Sequence, residues 1–314
     1  EWRPVMKIEF IAPFNKAWDR MKAALFNPFD LQKWGIIGFN AFLAGLLDGN
    51  GGGGGGSGSD NGGSLREFIS FPRDAWNWLA GHPWIFAAIV LGIIIAAAIF
   101  LALLWLSSRG KFMFLDNVIR DRAEVKKPWT HYSREGNSLF LWRLGYAIVL
   151  FILILIFLVF IFLSLSALYE SGNEEISLPF ILLAGLSFGF VMLVMVSIAF
   201  FLDSFVVPIM YKHKLSSTKA WGRFLPLFGK HPFHFIWFGV LVFVIMLIFV
   251  IAVVLAGLLT CCVGWIILII PYVGTVVTLP VWYTLRAFSV EFLAQFGDDY
   301  RLFPSGSKPE AKKA

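Results

Sequence analysis

Of 314 residues, 58% are apolar and only 15% are charged, and the mean hydropathy is +0.76. Soluble domains carry about 25% charged residues, so an ordinary soluble fold is excluded. A net charge of +6 and a pI near 9.3 would suit nucleic acid. Here, however, the positive charge falls on short segments between apolar runs, where anionic leaflet lipid is the simpler partner.

The first element, residues 13–26, places Phe14, Ala17, Trp18, Met21 and Leu25 at helical spacing, with Lys16, Arg20 and Lys22 elsewhere around the wheel. A basic amphipathic helix of this kind lies in the headgroup plane. Residues 1–33 contain no compact apolar region followed by a small-residue cleavage site, so no cleavable signal is expected. Met6 suits a start, with residues 1–5 an upstream extension. Asn27-Pro28 breaks the helix, and the apolar stretch 34–47 that follows is either a short first crossing or a re-entrant element.

Residues 49–63 are nearly all Gly, Ser, Asn and Asp and are expected to be a flexible linker. The Lys-Ser/Thr that would make them a phosphate loop is missing. Residues 64–80 predict a second interfacial helix, with Ser64 and Glu67 as a capping box and Trp76, Trp78 and Trp84 at the aromatic belt.

Five further apolar runs follow, at 84–107, 146–168, 180–202, 236–259 and 264–285. Each is long enough to cross roughly 30 Å of hydrocarbon at about 1.5 Å per residue. When alternate gaps are assigned to opposite sides, every one of the 26 Lys and Arg residues except Arg66 and Arg73 lands on one side. The positive-inside rule makes that side cytoplasmic. The expected fold is therefore all-α, with about six transmembrane helices, both ends inside, in a bacterial inner membrane. Its divisions are 1–48, the linker 49–63, an interfacial helix and five-span bundle over 64–297, and a tail over 298–314.

Two basic connections, 112–129 and 211–234, are amphipathic and are expected either to lie along the leaflet or to pack on the bundle. Their Lys126, Lys127, Lys212 and Lys214 join Lys16, Arg20 and Lys22 as candidate contacts to anionic headgroups. Pro271, Gly274 and Pro280 interrupt the sixth run, as a kink or as a cavity lining.

Ionisable groups at membrane depth are costly and mark sites. Asp203 closes the run 180–202, and Arg286 and Glu291 follow at the cytoplasmic end of the sixth, so these three form the expected polar cluster. Either it fastens spans four and six, or it marks a lipid or solute site between them. His231 and His234 lack acidic or Cys partners nearby in sequence, so no metal is expected. Cys261 and Cys262 read as a small outer turn, an intermolecular bridge or an acylation site. No catalytic motif stands in a suitable context, and no cofactor is expected. All five histidines lie outside or at the ends of the runs, which argues against haem or pigment.

The runs DSFVVPIMY (203–211), AWGRFLPLFGKHPFHF (220–235) and CCVGWIILIIPYVGTVVTLPVWYTLRAFSVEFLAQFG (261–297) resemble a family of uncharacterised bacterial integral membrane proteins. PFNKAWDRMKAALFNPFDLQKW (13–34) and the glycine-rich loop fit the same pattern. That family is itself distantly similar to the membrane domain attached to some glycerophosphodiester phosphodiesterases, whose catalytic barrel this chain lacks. The resemblance implies a six-helix fold and assigns no reaction. The expected function is a non-enzymatic scaffold or accessory subunit that forms homo-oligomers or docks on partner membrane proteins. Lipid handling or small-solute transport is the alternative.

Overall fold

A computed structural model of the chain describes residues 8–47, 65–170, 178–260, 264, 268 and 270–303. Among them every regular element is helical. In chain order these are α1 (Ile11–Phe26), α2 (Leu31–Gly45), α3 (Leu65–Gly81), α4 (Pro83–Arg120), α5 (Lys126–His131), α6 (Ser133–Glu170) and α7 (Leu178–Phe201). A π-helical turn, Leu202–Val206, leads into α8 (Val207–His213), then α9 (Ser217–Lys230), α10 (Pro232–Leu259), α11 (Pro271–Val277) and α12 (Leu279–Leu293). The linker 49–63, Glu174, Glu175, the Cys261-Cys262 turn and the tail beyond residue 303 lie outside the described residues.

Among the described residues four helices are long and apolar enough to cross a membrane: Pro83–Arg120, Ser133–Ala167, Leu182–His213 and Pro232–Leu259. They coincide with four of the expected runs. The stretch 34–47 forms most of α2, whose 15 residues span only about 22 Å, short of the roughly 30 Å core. The sixth run is divided. Ile270 is extended before α11, and a turn at Thr278 separates α11 from α12. The break is built in by composition: Pro271 and Pro280 open the two helices, and a Cβ at Gly274 would run into the Leu268 carbonyl.

Two compact units are present. The first consists of Glu1–Gly54, Leu103–Trp142 and Phe200–Ala314, and the second of Gly55–Ala102 and Arg143–Ala199. The domain division drawn from sequence kept 64–297 together, whereas the chain passes from one unit to the other within α4, α6 and α7.

In the first unit, α1 buries Ala17, Met21, Ala24 and Leu25, on the stripe that was expected to face lipid. It packs on α12, so protein rather than headgroup covers that face. Asp30 caps α2, its carboxylate accepting from the Gln32 and Lys33 amides at 2.8 and 3.3 Å. The Trp34 indole donates to the Leu25 carbonyl at the end of α1 at 2.6 Å. The core is aromatic: Phe205, Phe224, Phe235, Phe238, Phe288 and Phe292 are all fully buried. Phe238 and Phe292 stack at 4.6 Å, and Phe205 meets Phe235 edge-on at 5.0 Å.

Both basic connections join this core instead of lying along a leaflet. The segment 112–120 continues α4, because no breaker separates it from the apolar run. Phe112, Met113, Phe114, Leu115, Asp116, Asn117 and Val118 are buried all round the helix. Gly110 allows the contact, since a Cβ there would stand 2.7 Å from the backbone of Leu43 and Ala44. Likewise α9 turns Ala220 and Phe224 inward and leaves Leu225 exposed.

In the second unit the lengths of α4, α6 and α7 are apolar on every side, whereas α3 carries Arg73, Asp74 and Asn77. Ile93, Leu91, Phe151, Leu158, Leu183, Leu186 and Leu193 are all exposed, which for helices hydrophobic all round is a lipid-facing pattern. Phe157 stacks on Phe188 at 4.0 Å, and the Tyr146 hydroxyl donates to the Met195 carbonyl at 2.6 Å.

Candidate functional site

The site is built at the π-helical turn of the first unit, and its origin can be read in the order of residues. Proline at 208 has no N–H to give. The Val207 amide reaches back five residues to the Leu202 carbonyl. The Asp203 carbonyl therefore has no donor from either Val207 or Pro208. Arg286 supplies the missing bond, its Nη1 donating to that carbonyl at 2.7 Å. The same guanidinium straddles the Asp203 carboxylate, with Nη2 donating to Oδ1 and Oδ2 at 3.1 Å each. Inserted π turns of this kind recur at functional sites because they redirect a carbonyl and a side chain together.

A third residue completes the arrangement. Lys111 of α4 donates from Nζ to Asp203 Oδ1 at 2.9 Å. One carboxylate thus ties together α4, the π turn and α12. Lys111 and Arg286 are nearly buried, with side chains 6% and 8% exposed, while the Asp203 side chain is 35% exposed. Two cations share one anion, which makes the carboxylate the member whose loss costs most.

Glu291, expected in the same cluster, forms its own link. Arg20 of α1 donates from Nε to Glu291 Oε1 at 2.7 Å, and its guanidinium lies 3.9 Å over the Phe303 ring. The structure thus joins Asp203 to Arg286 and holds Glu291 apart from them with Arg20. Of the candidate leaflet contacts, Arg20 and Lys212 turn inward, Lys212 donating to the Asp298 and Arg301 carbonyls. Lys214 sits with its ammonium 3.8 Å over the Tyr132 ring, on a left-handed backbone at φ 53°. Lys22 pairs with Asp19 on an exposed face of α1, and Lys127 at the start of α5 pairs with Glu124 in the stretch before it. Lys16 and Lys126 are exposed.

Sequence reasoning missed a second polar centre, at Asp116. Its Oδ1 accepts from the Tyr211 hydroxyl at 2.7 Å and the Tyr132 hydroxyl at 3.2 Å. Arg120 Nε lies 3.0 Å from the same oxygen. The Tyr132 and Tyr211 rings stack at 4.7 Å. Burial pushes the Tyr132 phenol up, so it remains a donor across the physiological range. The signal for Lys111 and Asp116 was present in SSRGKFMFLDNV (107–118): both stand in a helical run that nothing interrupts, so neither is on a loop.

His231 and His234 stand 5.8 Å apart, ring to ring, against Phe296 and Phe10. Among the described residues no three His, Cys, Asp or Glu side chains are grouped to hold a metal ion.

Four membrane-length apolar helices among the described residues, with an ionic and aromatic interior within the first unit, mark a helical membrane protein. Residues 10–302 match the family described as Family of unknown function (DUF7544), and the chain belongs to that family. No curated protein and no solved structure matches it.

Proposed function

We propose that this chain is a non-enzymatic, multi-pass protein of a bacterial inner membrane. Its ends are cytoplasmic, it crosses about six times, and it serves as a scaffold or accessory subunit of a membrane assembly, as a homo-oligomer or with partner membrane proteins. The observation that carries this reading is the Asp203 centre. Lys111 and Arg286 close on one carboxylate from two other elements, and all three groups hold the helices in one arrangement. A relay or carrier needs groups that exchange partners, whereas a guanidinium bound through Nη2 to both carboxylate oxygens and through Nη1 to a backbone carbonyl is held fast. The apolar surface of the second unit supplies the complementary feature: helices that lipid or a partner's helices can cover.

Lipid handling or solute transport between spans four and six is the second reading, and one observation favours it: the Asp203 carboxylate is about a third exposed although its cations are buried.

Native mass spectrometry of the chain extracted with its surrounding lipid tests both. A discrete homo-oligomer or a co-purifying membrane partner supports the scaffold. A monomer retaining a specific phospholipid puts lipid handling first, and a bare monomer sinks both. The variant Asp203→Asn keeps an acceptor in place; a scaffold should lose assembly with it, whereas a transporter should assemble and lose flux.

A further inference from the structure

The Asp116 centre does more than satisfy its own hydrogen bonds, because it aims an arginine. Arg120 is held through Nε, which lies 3.0 Å from Asp116 Oδ1 and donates to the Tyr211 hydroxyl at 3.4 Å. Its terminal nitrogens, Nη1 and Nη2, have no acceptor among the described residues. The base of the group is buried, with the Asp116 side chain 9% exposed, while the Arg120 side chain is 47% exposed. A guanidinium fixed at one edge and open at the other is preorganised to bind a planar or tetrahedral oxyanion with two parallel hydrogen bonds.

Arg120 lines a cavity of about 440 Å³, bounded also by Arg122, Lys127 and His131, with Asp116 and Glu124 as its acids. Asp116 is taken up by the two tyrosines and Arg120, and Glu124 by Lys127 at 2.9 Å. That hydrogen bond with Lys127 holds the Glu124 carboxyl below its usual range. The Arg122 side chain has no hydrogen-bonding or ion-pair partner among the described residues, its backbone amide donating to the Asn117 carbonyl at 3.3 Å. Three cations against two engaged carboxylates leave an open positive charge beside an arginine already oriented.

We propose that this cavity binds a phosphate-bearing ligand, with Arg120 as the bidentate anchor and Arg122 and Lys127 as the charges around it. The phosphate either belongs to an anionic phospholipid headgroup or to a soluble phosphate ester; both present the same tetrahedral oxyanion. The site lies within one unit of the structure and stands apart from the scaffold reading.

The full-length chain in phosphatidylcholine nanodiscs is titrated with glycerol 3-phosphate by calorimetry. In parallel, nanodiscs containing phosphatidylglycerol are examined by native mass spectrometry for lipid retained through delipidation. Arg122→Gln and Arg120→Gln are compared with Lys219→Gln/Arg223→Gln on the exposed face of α9. The proposal expects one equivalent of one probe, weakened roughly tenfold or more by either cavity variant and unchanged by the α9 pair. Retention of phosphatidylglycerol without glycerol 3-phosphate binding assigns a headgroup, and the converse a soluble ester. Binding of neither probe overturns the site, as does binding that Arg122→Gln leaves intact, since that exposed side chain supports no other contact whose loss would unfold the protein.

Discussion

Gly92 and Gly110 lie on the same helix, α4, in different units, and the difference between them describes the molecule. At Gly110 a Cβ would meet the backbone of Leu43 and Ala44 at 2.7 Å, whereas at Gly92 it would meet nothing within 4 Å. Apart from the exposed apolar length of α10, the first unit is packed from inside: backbones approach closely, phenylalanines interlock, and three charged residues close on one another. The second is built of helices whose apolar side chains point mostly outward. In the first unit, contacts within the chain specify the structure. In the second, the surrounding solvent does, and hydrocarbon is the solvent that such surfaces fit.

The largest effect that tests this contrast comes from the Asp203 centre. Asp203→Ala leaves Lys111 and Arg286 nearly buried without their shared anion, and the expected loss is about 3–5 kcal/mol of stability, the range for one-sided removal from a buried pair. Asp203→Asn keeps the acceptor oxygen and should lose less. Denaturant unfolding in detergent, followed by tryptophan fluorescence, reads both. If Asp203→Ala is as stable as the wild type, the first unit is not held by its ionic interior.

How much of this was legible in the sequence depends on what each feature needs. The four membrane-length helices needed only an unbroken apolar run, and 84–107, 146–168, 180–202 and 236–259 supply one. The Asp203–Arg286 proximity was legible because both residues end apolar runs on the same side. The engagement of Lys111 was harder to read, because 112–129 stood as an amphipathic connection separate from the run 84–107. Its signal is the unbroken helical pattern through 107–118, by which α4 continues to residue 120 and carries Lys111 and Asp116 into the core. The faces of α1 and α9 show the same limit. An amphipathic stripe records that one side avoids water; protein and lipid satisfy it equally, and here α12 and the Phe205 cluster cover it.

A smaller effect sharpens the comparison on a single helix. Gly110→Ala forces two backbones apart, and overpacking of this kind costs about 1–3 kcal/mol. Gly92→Ala meets open space and replaces the most flexible residue in a helix, so it should be neutral or stabilising by roughly 0.5–1 kcal/mol. The pair is measured by the shift in unfolding midpoint. Equal losses at both positions would mean that another surface covers Gly92 as closely as α2 covers Gly110.

The smallest effect is expected within the second unit, at Tyr146. Its hydroxyl donates to the Met195 carbonyl at 2.6 Å, a bond between α6 and α7. A bond between two apolar helices suggests a large contribution, since hydrocarbon offers no competing partner. Two points reduce it. A carbonyl has two lone pairs, so Met195 in the middle of a helix keeps its backbone bond when the tyrosine oxygen is removed, and no polar group is stranded. The partly unfolded chain in a membrane also finds other acceptors, and measured interhelical bonds average about 0.6 kcal/mol with a maximum near 1.7. Tyr146→Phe should therefore lose about 0.6 kcal/mol, several times less than Asp203→Ala, read as the same midpoint shift. A loss on the scale of the Asp203 variant would mean that the second unit, too, is specified from within, and that its outward apolar faces need no particular covering to keep α6 and α7 together.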